Sequence, residues 1–192
     1  MSDILELTGD VAPWHALVNE AEQHAGVQLD EELESYLVFT LIRYLREPAM
    51  TQRVLALDFL EALQQQARRR DASLRDVADQ CLLFSGLFPR RAERRRVRVS
   101  YYVDLGRSAY RNLASNLSQL ARLFGRMAEE FVPAMDTLQA IRAVAGEPSG
   151  MTAMQAYELW QDTASSQAWA DVVRQTGARP APVADDDTAS RH

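Results

Sequence analysis

Apolar residues recur at intervals of three and four along almost the whole chain, the period of helices buried along one side. Between Asp10 and Gly26, Trp14, Leu17, Val18, Ala21 and Ala25 share one face, and Pro13 suits a first helical turn. Asp30 can cap a second helix, with Glu31 and Glu32 in the turn where the dipole favours anions. Leu33, Leu37, Leu41, Tyr44 and Leu45 form its stripe, and Pro48 stops it. Thr51 can cap a third helix with Val54, Leu55, Leu57, Phe59, Leu60 and Leu63 as its core side. It is expected to end in Arg68, Arg69 and Arg70, where cations complement the dipole. Ser73 and Asp76 have capping-box spacing before the apolar stretch Val77–Phe88, with Gly86 near its end.

Pro89 suits the start of a short helix, and Val97 and Val99 alternate with arginine as a brief connector. From Ser100, the positions Tyr102, Leu105, Ala109, Leu113, Leu117, Leu120, Phe124, Met127 and Phe131 predict one long helix. Gly106 and Gly125 within it can allow close helix approach. Pro133 permits a helix to about Ala145, and Gly146, Pro148 and Gly150 break the chain again. Thr152 with Gln155 is a second capping box, and a last helix carrying Trp169, Val172 and Val173 ends at Gly177. Residues 179–192 hold Pro, Ala, Asp and Ser without periodicity and read as a disordered tail. The pattern predicts an all-α fold: one compact domain over 1–178, with seven or eight helices.

Composition changes this picture mainly by exclusion. All 21 basic residues are arginine, which removes Schiff-base lysine chemistry and the P-loop lysine. Neither GxGxxG nor GxSxG occurs. The single Cys81 excludes an intrachain disulfide and a multi-cysteine metal site, and it reads as a buried, inert thiol. Glu20 and His24 stand four apart, but no HExxH or paired ExxH accompanies them. His24 therefore reads as a solvated histidine beside a carboxylate. No catalytic, cofactor-binding or metal-binding residue is assigned. No uncharged run exceeds 10 residues, so no membrane span is expected. The acidic opening MSDILELTGD does not resemble a signal peptide, and the expected setting is the bacterial cytoplasm.

The net charge of −6 is unevenly spread. Residues 1–40 carry nine acids and no arginine, whereas residues 68–98 hold ten arginines against four acids. The segment PRRAERRRVRVS concentrates this charge. On a helix, Arg90, Arg91, Arg94, Arg95 and Arg98 fall within an arc of about 140°. Like charges so placed repel by roughly 0.2–0.5 kcal/mol per pair and call for an anion. The anion could be internal, from the acidic N-terminal region, or the face could be solvated. It could also be external, an acidic protein surface ahead of nucleic acid, because the pI is near 5.1.

The stretch CLLFSGLFPRRAERRRVRVSYYVDLGRSAYRNLA, residues 81–114, resembles the signature region of an uncharacterised family of bacterial proteins. The resemblance implies no activity. It implies that Phe84, Gly86, Phe88, Pro89, Tyr101, Tyr102, Gly106 and Tyr110 form one unit. The candidate partner-binding surface is Arg90, Arg91, Arg94, Arg95, Arg98, Tyr101, Tyr102 and Tyr110, since tyrosine and arginine are enriched at binding hot spots. The leading expectation is a non-catalytic interaction or regulatory module. The alternatives are a nucleic-acid-binding module using the Arg90–Arg98 face, and a small-molecule binder or enzyme near Tyr101, Tyr102 and Cys81.

Overall fold

The computed structural model describes residues 11–46, 55–94, 97–116 and 119–177, with the backbone alone at 67 and 91–93. Every regular element among the described residues is a helix. In chain order these are α1 (Ala12–Ala25), α2 (Glu31–Arg46), α3 (Leu55–Gln64), α4 (Ala67–Gly86), α5 (Pro89–Arg94), α6 (Val99–Ala114), α7 (Ala121–Glu129), α8 (Phe131–Val144), α9 (Ala153–Thr163) and α10 (Ser166–Thr176). The all-α expectation holds, with ten helices described in place of seven or eight. The expected cap Thr51, the residue Val54 and the segment 179–192 lie outside the described residues.

Helix α4 is the axis of the fold. Every residue from Val77 to Gly86 is buried, the polar Asp79, Gln80 and Ser85 included. Helices α3, α6 and α8 pack along it. Gly106 on α6 is what lets α6, α4 and α8 converge: a Cβ there would lie 2.5 Å from the Phe131 ring and 2.9 Å from Cβ of Cys81. Helix α1 lies on α8 through the small residues Ala21, Ala25 and Ala140. Helices α9 and α10 form a hairpin that packs on α8 and α6. Its turn is held by Asp136 of α8, which accepts the Ser165 hydroxyl at 2.5 Å and both the backbone N–H and hydroxyl of Ser166 at 2.9 Å. Burial raises the Asp136 carboxyl above its ordinary value, and the serine donors pull against that rise.

Several caps follow the sequence. Asp30 accepts from the backbone N–H groups of Glu32 and Leu33 at 3.0 and 3.2 Å. Thr152 and Gln155 form the reciprocal capping box of α9, and Gly26 and Gly177 end α1 and α10 with left-handed φ of 65° and 69°.

Other expectations are corrected. Helix α3 ends at Gln64, and Arg68, Arg69 and Arg70 open α4, at the end where the dipole opposes them. Arg70 is held there by side chains: it donates to Asn116 at 2.7 Å and lies 3.6 Å from Asp71. Ser73 does not cap; it sits inside α4 and donates to Gln65 at 2.9 Å. The long helix expected from Ser100 to Phe131 is three helices. The first ends at Ser115 and Asn116: Ser115 donates to the nearby Asn112 carbonyl at 2.7 Å, and Asn116 reaches across to Asp71 of α4 at 2.7 Å. Leu57, Leu60 and Leu63, assigned to the core, are exposed, because the packing partner of α3 among the described residues is α4.

Candidate protein-binding surface

The short helix α5 owes its place to two close approaches. A Cβ at Gly86 would lie 2.4 Å from Cβ of Leu138, so the end of α4 is pressed onto α8. Pro89 is buried and starts α5 from that corner. Arg90 and Arg94, four residues apart on one face, then point into solvent.

The facing wall is the loop between α8 and α9. Arg142 of α8 fixes it, donating to the Leu87 carbonyl and the Pro148 carbonyl, each at 3.0 Å. Gly150 fits between Arg142 and Pro89; a Cβ there would lie 2.6 Å from each. Ser149 donates to Asp171 of α10 and accepts the Met151 N–H at 3.3 Å. Gln175, in the last turn of α10, donates to the Met151 carbonyl at 3.2 Å. An open cleft of about 510 Å³ results, with Arg90 and Arg94 on one side and Ser149–Thr152, Gln155 and Gln175 on the other.

Among the described residues, acids of the N-terminal region are engaged away from this cleft. Asp30 and Glu32 both pair with Arg126 of α7. Glu34 pairs with His15 at 2.7 Å and accepts from Asn19 at 2.8 Å. Glu22 is buried against the Leu29 N–H. The expected compensation of the arginines by residues 1–40 is thus absent among the described residues. Among the described arginines of the cluster, compensation reaches Arg98 alone, and from the C-terminal part of the chain: Glu158 and Asp162 of α9 lie 3.6 and 3.7 Å away. Among the described residues, no carboxylate pairs with Arg90 or Arg94. The side chain of Arg91 and the whole of Arg95 lie outside the described residues.

The three tyrosines separate. Tyr101 is 40% exposed at the start of α6. Tyr102 is buried with its ring 5.4 Å from that of Phe84, and Tyr110 is fully buried, so neither belongs to a surface. Tyr110 instead donates to Asp79 at 2.8 Å. Asp79, completely buried on α4, also accepts from Tyr36 at 2.6 Å and Arg43 at 3.3 Å, with Arg75 at 3.6 Å. Burial raises its carboxyl above the ordinary value, while the tyrosine hydroxyls and Arg75 pull it down. The guanidinium of Arg75 lies 5.2 Å from the Tyr36 ring centre. Donors from α2, α4 and α6 therefore converge on one carboxylate, an arrangement that fixes the register of three helices.

Cys81 is fully buried, and burial pushes its thiol well above the ordinary range. A thiol so placed is a poor nucleophile. His24 is exposed beside a second open hollow of about 700 Å³ formed by the same loop. Among the described residues no group of three His, Cys, Asp or Glu could hold a metal ion, and no helix is long and apolar enough to cross a membrane.

Sequence reasoning found the arginines but missed the wall that faces them. Gly150 and Pro148 read only as a helix break, and nothing in their pattern says that Arg142 would pin that break to the α4–α5 corner. Comparison with family models, curated proteins and solved structures returned no match for the chain.

Proposed function

We propose that this chain is a non-catalytic interaction module of the bacterial cytoplasm that takes an acidic segment of a partner protein between Arg90 and Arg94 and the loop wall opposite. The observation that carries the reading is the pair of exposed guanidinium groups with no carboxylate partner among the described residues, at the rim of a cleft whose other wall is pinned by hydrogen bonds. Arginine presents planar, forked donors that match carboxylates. A preorganised wall reduces what a bound segment loses in ordering the site. Serine, threonine and glutamine side chains on that wall can accept and donate along an extended chain. The readings near Cys81 find no support in a thiol sealed inside the core. Nucleic acid is disfavoured because Glu158 and Asp162 interrupt the basic face at Arg98.

The test is fluorescence anisotropy with a labelled glutamate-rich peptide and, separately, a single-stranded oligonucleotide of similar charge. An exposed Arg–carboxylate pair contributes about 0.2–1 kcal/mol, so Arg90→Gln/Arg94→Gln is expected to weaken the peptide by about 2- to 30-fold. Equal binding by the variant, or tighter Arg90- and Arg94-dependent binding of the oligonucleotide, overturns the proposal.

A further inference from the structure

The cleft lies where the chain leaves α10. Gln175 lines it, and its hydrogen bond to Met151 ties the last turn of α10 to the wall. Gly177 closes that helix by donating to the Val173 carbonyl at 2.8 Å. The chain thus emerges within two residues of a cleft-lining side chain. It continues as ARPAPVADDDTASRH, with Asp185, Asp186 and Asp187 in succession.

The length of this connection suits the distance it must cover. Eight steps separate Gly177 from Asp185, and Pro180 and Pro182 favour extended backbone between them. At about 3.1 Å per residue the segment reaches about 25 Å, and a flexible chain of that length spans roughly 16 Å on average. Gln175, Arg90 and Arg94 line one cleft of about 510 Å³, so the aspartates come within reach of both arginines. The start of α1, which the acidic residues 1–10 precede in sequence, is farther from the cleft. Helix α1 presents its far end, His24, to the same loop, so its start lies a helix length, about 20 Å, away.

We propose that the segment Asp185–Asp187 occupies the cleft between Arg90 and Arg94 and competes there with the acidic partner. This rests on the reading that the cleft takes acidic chain; it adds that the first such chain is the protein's own. Exposed ion pairs are individually weak, but a tether of this length supplies an effective concentration on the order of millimolar. The cleft is then partly filled in the free protein. A partner gains access by making more contacts than three aspartates can.

The test uses the full chain. A nitroxide label on Ala184→Cys, with Cys81 shielded by burial, is expected to broaden the amide signals of Arg90, Arg94, Gly150 and Thr152. Arg90→Gln/Arg94→Gln, or Asp185→Asn/Asp186→Asn/Asp187→Asn, should remove that broadening. In parallel, the triple asparagine chain should bind the labelled glutamate-rich peptide about threefold or more tightly than the natural chain. Absence of broadening at these four residues, or broadening unchanged in either variant, overturns the proposal. Peptide binding that needs Arg90 and Arg94 but is equal in natural and triple asparagine chains overturns the competition and leaves the site reading standing. Peptide binding that ignores both arginines overturns the site reading itself.

Discussion

Replacing Asp79 by alanine is expected to be among the most damaging single changes in the core. The carboxylate is fully buried and accepts from the hydroxyls of Tyr36 and Tyr110 at 2.6 and 2.8 Å. Its two arginine neighbours differ from the tyrosines in one respect. The side chains of Arg43 and Arg75 are 31% and 39% exposed, so they regain water when the carboxylate is lost. Arg43 also keeps Asp76. The cost therefore concentrates on the two buried hydroxyls, at about 1–3 kcal/mol each when left unsatisfied. A loss of about 3–5 kcal/mol is expected for Asp79→Ala, in line with breaking a buried, hydrogen-bonded ionic group. Tyr36→Phe and Tyr110→Phe, each removing one donor while the carboxylate keeps the others, should cost about 1–2 kcal/mol. The combination of Asp79→Leu with both phenylalanine changes should recover part of the loss, because no buried hydroxyl is then orphaned. Urea unfolding followed by circular dichroism reads all of these, and a cycle between Asp79→Ala and Tyr110→Phe should show coupling of about 1–3 kcal/mol. A loss under about 1 kcal/mol for Asp79→Ala, or strict additivity in that cycle, would refute the view that the carboxylate holds the helices together.

Gly106→Ala should destabilise by about 1–3 kcal/mol through overpacking against Phe131 and Cys81, read as a fall in Tm. Gly125→Ala meets only Ala114 at 3.7 Å and should be neutral or stabilising by up to about 1 kcal/mol; the opposite ranking of the two would contradict the packing. Asp136 should give a pH dependence of definite sign. Its carboxyl is raised above 3.8 in the folded chain, so the folded state holds the proton to higher pH than the unfolded state. Its contribution then falls as pH rises from the ordinary aspartate value through the folded one. The stability difference between natural protein and Asp136→Asn, measured by urea midpoints across that window, should shrink with rising pH; a difference that grows would reverse the sign.

Much of the helical layout was legible because it depends on neighbours in sequence. The Asp30 cap, the Thr152–Gln155 box and the glycine stops at Gly26 and Gly177 are local chemistry, written within four residues. Gly106 was also readable as a place of close approach, though its partners Cys81 and Phe131 were not. What periodicity could not supply was which apolar stripes find a partner. Leu57, Leu60 and Leu63 have core-like spacing but face away from α4. Tyr110 and Asp79 are 31 residues apart, and nothing local signals that a tyrosine proposed for a surface would donate to a buried acid. The arginine surface was legible as charge. Its cleft was not, because the facing wall is set by Arg142 bonding carbonyls on two separate loops. The compensation of Arg98 by α9 in place of the acidic N-terminal region is likewise a matter of tertiary packing, to which block charges are blind.

The central claim, that the paired arginines and the pinned loop form one binding surface for acidic chain, is tested most directly by mapping. Uniformly ¹⁵N-labelled protein titrated with the glutamate-rich peptide should show saturable shifts at the guanidinium Nε–H of Arg90 and Arg94 together with the amides of Gly150, Met151 and Thr152, all following one binding curve. Shifts confined to Arg98, Tyr101 or α3, or arginine shifts that rise linearly with peptide while the loop amides stay still, would contradict it.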